Sequence, residues 1–252
     1  MVWLKDDKPV LLLIHGFAQS PQSWDQIVAL LGERYCTIAL DLQAMISEGG
    51  STSVPTPESV VAATIAQLER RGIGQVAVWG YSLGARIALT LALNHPDRVN
   101  RLILESGSAG IEDKTARSDR SAADRELADR IERGSIEQFV DAWERLPIFA
   151  GQPEALVAAQ RPSRLANNPA ALAAALRGLG QGSFAPVWDR LAEVSAPTLV
   201  LSGERDAAYT EIGKRLAAAL SDGKHTVVVN AGHAVHLEQP QVACAAVRSL
   251  LE

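Results

Sequence analysis

The pentapeptide Gly80-Tyr81-Ser82-Leu83-Gly84 lies between an apolar run, Gln75-Val76-Ala77-Val78-Trp79, and a helical pattern, Ala85 to Leu93. A G-x-S-x-G string at a strand-to-helix junction forms a nucleophile elbow. So tight a turn strains the serine backbone and leaves no room for side chains on either flank, which glycine at 80 and 84 satisfies. The turn also aims the Ser82 hydroxyl outward at a helix start, where free N–H groups and the helix dipole favour a developing anion. The plain alternative is a glycine-rich turn with an incidental serine. A strand before it and a helix after it weigh against that reading.

Two further segments complete a constellation. Leu11-Leu12-Leu13-Ile14-His15-Gly16-Phe17 reads as a buried strand running into a His-Gly turn. In elbow geometry that turn supplies one oxyanion N–H, from Phe17, and Leu83 supplies the other. Downstream, Thr198 to Asp206 is a strand ending in an acidic loop, and Thr226 to Val229 is a strand followed by Asn230-Ala231-Gly232-His233. The order Ser82, Asp206, His233 is the α/β-hydrolase order of serine, acid and base. His233 would take the Ser82 proton, and Asp206 would fix the imidazole tautomer.

The other histidines read differently. His15 holds the oxyanion turn by hydrogen bonds, His95 ends a helix, and His225 opens a strand at an exposed edge. His236 is the rival base, but His233 directly follows the Ala-Gly turn. No histidine pair has metal-ligand spacing with a carboxylate, so neither a metal nor another cofactor is expected.

Strands are expected near 10–15, 36–41, 76–80, 99–104, 198–203 and 226–230, with helices near 22–33, 57–71, 83–94, 209–220 and 239–251. This alternation predicts a mainly parallel sheet with helices on both faces, and the elbow and the residue order make it an expected α/β-hydrolase fold. A fragment of an antiparallel edge strand fits around Val2-Trp3-Leu4. Between 111 and 190 the alternation stops, and helices are expected over Ser121–Arg133, Ile136–Arg145, Pro153–Leu165 and Pro169–Leu179, with a short piece near Trp188. Residues 1–110 and 191–252 thus read as the core of one catalytic domain, and 111–190 as a helical lid inserted after the 99–104 strand, above Ser82.

Composition closes off other classes. The 252 residues are 47% hydrophobic, enough for a sizeable core. A net charge of −5 leaves no basic footprint for nucleic acid. No apolar span is long enough for membrane insertion, no signal peptide is evident, and the two cysteines, Cys36 and Cys244, read as small buried hydrophobes; together these point to the cytoplasm.

The lid carries the evidence on substrate. Arg117, Arg120, Arg125, Arg161 and Arg164 cluster there with Trp143, Phe149 and Trp188. Most such arginines are solvated and balanced, as in Asp124-Arg125-Glu126. Arg86 differs: one turn past Ser82 on the elbow helix, it can clamp a carboxylate bidentately.

The string Trp79 to Arg86, followed by Leu104-Glu105-Ser106-Gly107-Ser108-Ala109-Gly110, resembles the 2-succinyl-6-hydroxy-2,4-cyclohexadiene-1-carboxylate synthases, lyases of menaquinone and phylloquinone biosynthesis. The segments Trp143 to Phe149, Arg164 to Pro169 and Leu176 to Gly182 are similar to that family too, as are Gly16-Phe17 with Ser20 and Trp24, and Gly203 to Asp206. The resemblance covers nearly the whole chain. It implies a triad of Ser82, Asp206 and His233, oxyanion donors at Phe17 and Leu83, and substrate contacts from Arg86, Arg120, Arg164, Tyr81 and Trp143. The implied partner is a small polycarboxylate from which pyruvate is eliminated, with Ser82 serving as a base on a ring proton. Two departures stand out: Asp41 to Ser51 lacks the Pro-Gly-His-Gly of related hydrolases, and Asp206-Ala207-Ala208-Tyr209 replaces a Lys-Phe-bearing sequence. A serine carboxylesterase or C–C bond hydrolase shares the elbow and triad, and a ligand receptor can share the fold. The arginine set separates the lyase from the esterase.

Overall fold

The computed structural model describes residues 8–48 and 54–252; the expected fragment at Val2-Trp3-Leu4 lies outside them. Six parallel strands form one sheet: β1 (Val10–Ile14), β2 (Cys36–Leu40), β3 (Val76–Tyr81), β4 (Val99–Glu105), β5 (Thr198–Gly203) and β6 (Gly223–Val228). Their order is β2-β1-β3-β4-β5-β6, every neighbouring pair parallel. Near-continuous apolar runs are what a sheet buried on both faces requires. Alternation divides each strand between the two faces. Leu12, Ile14, Val76 and Val78 pack with α3 (Pro57–Arg70) and α4 (Leu83–Asn94), through residues such as Val60, Ile65, Ile87 and Leu91. Leu11, Leu13, Ala77 and Trp79 pack on the other face with Ile27 and Leu31 of α1 (Asp25–Leu31) and with Ala243 and Val247 of the last helix.

Between β1 and β3 the strand order reverses. The crevice outside the strands' carboxyl ends at such a point is where α/β sheets hold ligands, and the turns after β1, β3, β5 and β6 all open there.

Three local features differ from the sequence reading. Where a loop follows β2 in the reading, the structure has α2 (Leu42–Glu48). Asp41 starts it, its Oδ1 accepting from Ala44 N at 3.0 Å. The last strand is Gly223–Val228 rather than 226–230, because the chain turns at Asn230, whose φ is +58°. Cys36, on the outermost strand, is only half-buried, whereas Cys244 is buried.

Between β4 and β5 run α5 (Lys114–Arg133), α6 (Ile136–Trp143), α7 (Glu154–Leu165) and α8 (Pro169–Leu179), then a short 3-10 turn at Trp188–Glu193. Ala128, Ile131, Phe139, Val140, Leu172 and Leu176 form a small core of their own, which meets Ala18 and Phe17 of the turn after β1. The chain then completes α9 (Ala207–Ala219), α10 (Val235–Glu238) and α11 (Pro240–Leu251). Among the described residues, no helix is long and apolar enough to cross a membrane.

Candidate active site

Ser82 stands between β3 and α4 with φ 52° and ψ −107°, a conformation rarely taken by a residue with a side chain. The glycines on either side are sterically required. A Cβ on Gly84 would strike the carbonyl of Ile14 in β1, and one on Gly80 would strike the carbonyl of Gly84. Helix α4 therefore starts in direct contact with the sheet. Ser82 N donates to Glu105 O at 2.8 Å, tying the elbow to β4.

His233 arrives from the turn after β6. Its Nε2 lies 3.1 Å from Ser82 Oγ, and its Nδ1 lies 2.6 Å from Asp206 Oδ2. A carboxylate oxygen only accepts, so Nδ1 carries the proton and Nε2 turns its lone pair to the serine. Asp206 uses both oxygens: Oδ1 accepts from Tyr209 N at 3.3 Å as the N-cap of α9. A helix start thus fixes the acid's rotamer. Ser106 Oγ donates to the His233 carbonyl at 2.7 Å. Glu238, its side chain 1% exposed, accepts from Gly232 N at 2.7 Å and Ala234 N at 3.3 Å.

The remaining histidines have other partners. His15 Nδ1 donates to Gly16 O at 2.8 Å and Nε2 accepts from Leu42 N at 3.2 Å, so it joins the turn after β1 to α2. Burial depresses its pKa, in keeping with a neutral ring. His236 is fully buried, stacked on Trp24 at 4.2 Å and bonded through Nδ1 to Glu105 Oε1 at 2.7 Å. Trp79 Nε1 donates to the other oxygen of Glu105 at 2.9 Å. His236 does not reach Ser82. His225, read as an exposed edge residue, is half-buried and bonds Ser202 Oγ at 2.8 Å. Among the described residues, no cluster of His, Cys, Asp or Glu could hold a metal ion.

A cavity of about 120 Å³ lies over Ser82 and His233, and Phe17, Leu83, Tyr81, Arg86, Arg120 and Trp143 line it. Leu83 is the first residue of α4, where an N–H has no acceptor within the helix. Phe17 sits in a turn held by Gly16 N donating to Gln19 Oε1 at 3.2 Å. Arg86 is 7% exposed. Its Nη2 donates to Leu179 O at 2.8 Å, and its buried Nε has no partner among the described residues. Burial lowers its pKa, and Arg120 nearby lowers it further. A buried guanidinium with an unused donor beside a cleft is a ready anion site.

Arg120 reaches the cleft from α5, held by Asp124 Oδ1 at 2.8 Å and Gln181 Oε1 at 2.8 Å. Asp124 therefore belongs to Arg120 and the buried Gly182 N–H, not to Arg125. Arg164 does not line the cleft. It is 4% exposed and donates to Glu144 Oε1 at 2.9 Å, with its guanidinium 5.9 Å from the Phe149 ring. Arg161 holds the same carboxylate and Asp141. So eight of the ten residues singled out in the sequence line one cavity, Asp206 stands behind His233, and Arg164 lies outside the lining. The structure also adds Tyr209, whose ring meets the His233 imidazole edge-on at 4.6 Å and which lines the same cavity. The spacing of three from Asp206 was the available signal, since it puts both at one helix start.

Residues 11–247 match the alpha/beta hydrolase family. The chain is 34% identical over 240 residues to a Bacillus subtilis protein provisionally named 2-succinyl-6-hydroxy-2,4-cyclohexadiene-1-carboxylate synthase, covering 92% of this chain and 86% of that one. It is 31% identical over 252 residues to the synthase of that name from Klebsiella pneumoniae, covering 96% and 94%. The chain belongs to the alpha/beta hydrolase family, in its 2-succinyl-6-hydroxy-2,4-cyclohexadiene-1-carboxylate synthase branch. The structure of MenH from S. aureus superposes with a TM-score of 0.90 at 27% identity, covering 99% of this chain and 96% of that one.

Against this synthase branch, the two departures in sequence acquire a physical form. At 42–48 the chain substitutes a short helix docked on His15 for the glycine-rich loop; residues 49–51 lie outside the described residues. Tyr209 adds a phenol to the wall between His233 and Arg86, and burial raises its pKa, so it stays protonated as a hydrogen-bond donor.

Proposed function

We propose that this chain is a carbon–oxygen lyase, eliminating pyruvate from 2-succinyl-5-enolpyruvyl-6-hydroxy-3-cyclohexene-1-carboxylate to give 2-succinyl-6-hydroxy-2,4-cyclohexadiene-1-carboxylate. The names of its relatives supply the product, and the sequence resemblance implies the elimination of pyruvate. The observation that carries it here is Arg86: a buried guanidinium with an unused donor, in the cavity that Ser82 faces. A neutral ester gives such a group no counter-charge.

In this reading Ser82, its own proton drawn to His233 Nε2, removes the hydrogen from the ring carbon bearing the succinyl group. The C–H electrons form a ring double bond, the existing double bond moves one position, and the C–O bond to the enolpyruvyl group breaks. The departing enolate takes up a proton and leaves as pyruvate. No water is consumed, and the helical insert excludes it as a lid. Charge developing on the succinyl carbonyl oxygen falls to the N–H groups of Phe17 and Leu83. Asp206 holds the imidazole and stabilises its charged form. Arg86 and Arg120 bind the carboxylate of the leaving group, and Tyr81 and Trp143 frame the ring.

Given the enolpyruvyl substrate, the protein should release one pyruvate per diene formed, and rapid-quench mass spectra should show no adduct on Ser82. A substrate-derived mass on Ser82 would overturn the base mechanism and favour the hydrolase.

A further inference from the structure

The cavity over Ser82, at about 120 Å³, is small for a ring carrying a succinyl arm, a carboxylate and an enolpyruvyl ether. Sites that enclose ligands of this size run from about 300 to 1,000 Å³. A second cavity of about 500 Å³ lies between α5 and α6. Among the described residues, Leu127 and Trp143 alone line both cavities. These two side chains stand between the cavities.

The second cavity has apolar walls from Leu127, Ile131, Phe139 and Ala142, and among the described residues its charged lining groups are Arg130 and Arg133. Arg133 is engaged by Asp129 at 3.1 Å. Arg130 is exposed, and its guanidinium bonds nothing among the described residues. Methylene-sized walls leading to a free cation match a short acyl chain that ends in a carboxylate.

Resting on the lyase reading above, we propose that the cavity between α5 and α6 is a second substrate compartment. It takes the four-carbon succinyl arm past Leu127 and Trp143, and Arg130 receives the terminal carboxylate. The reacting carbon stays over Ser82, and the leaving group stays with Arg86 and Arg120.

Two variants test this from the side remote from Ser82. Ala142→Trp fills the compartment from its exposed rim, and Arg130→Glu reverses its free charge at an exposed position, so both should fold. Each is expected to lower kcat/KM on the enolpyruvyl substrate about tenfold or more, mainly through KM. Binding of 2-(3-carboxypropanoyl)benzoate, which carries the arm, should weaken in parallel, and binding of benzoate, which lacks it, should not. If wild type turns the substrate over and both variants keep KM within about twofold, the compartment is wrong. If wild type forms no pyruvate at all, the lyase reading itself fails.

Discussion

At the scale of single residues, arginines of one residue type have separate duties. Arg86 lines the cavity and keeps a buried Nε without a partner among the described residues; Arg164, equally buried, is already paired with Glu144. Removing a charge-assisted contact to a bound carboxylate costs about 2 to 5 kcal/mol, or roughly 30-fold to several thousand-fold in rate. Arg86→Ala should lose that much in kcat/KM, and Arg86→Lys should also be impaired because lysine lacks the planar fork. Arg164→Ala should act first on stability, since it leaves Glu144 with one cation instead of two. A calorimetric scan beside the kinetics separates the two. Unchanged Tm with a large kinetic loss for Arg164→Ala would return it to the cleft. None of this difference was legible in sequence, because Glu144 lies 20 residues from Arg164 and partners at that range are set by helix packing.

At the scale of elements, the start of α4 is the tightest joint in the molecule. Gly84→Ala would drive a methyl group into the Ile14 carbonyl of β1. Overpacking a rigid core typically costs about 1 to 3 kcal/mol, and backbone on both sides leaves little room to relax. Gly84→Ala should thus lower the unfolding free energy measured in urea by that much and also displace Ser82, cutting turnover. Full activity with native stability would show that the elbow has slack. Elements with strong apolar periodicity were readable before the structure, and Pro169–Leu179 keeps the bounds expected of it. Helix 83–94 and strand 198–203 keep theirs too, whereas the starts of α5 and α9 moved where polar chemistry decides them. α5 begins at Lys114 rather than 121 because Asp113 Oδ1 caps it, accepting from Ala116 N at 2.7 Å, while its first two turns carry no apolar stripe. α9 begins two residues early because Asp206 caps it while serving His233. The order Ser82, Asp206, His233 was readable for a simpler reason: each sits just past a strand, and strands of buried β-branched residues announce themselves.

At the scale of the whole molecule, two histidines outside the cleft tie stability to pH. Burial lowers the pKa of both His15 and His225. Each accepts a proton less readily when folded than when unfolded, so the unfolded state gains more protons as pH falls below about 6.5. Stability should be full above that value and decline toward pH 5, and His15→Gln should flatten the slope. Urea midpoints at pH 7.5, 6.5 and 5.5 measure it; a midpoint that holds steady, or rises, on acidification would refute the assignment. The helices between β4 and β5 bear on a different matter, the order of events during synthesis. Ser82 and the base that abuts it are 151 residues apart, with the entire insert between them. A nascent chain exposes its elbow, then four helices, long before β5 and β6 exist to complete the sheet. Closing so long a loop costs little more than closing a shorter one, since the entropy grows only with the logarithm of its length. The delay is the larger effect, because non-local parallel pairing is slow. Competence for chemistry is therefore among the last properties this polypeptide acquires. Recovery of turnover during refolding should lag recovery of helical signal, which makes catalysis a sensitive clock for the docking of β5 and β6.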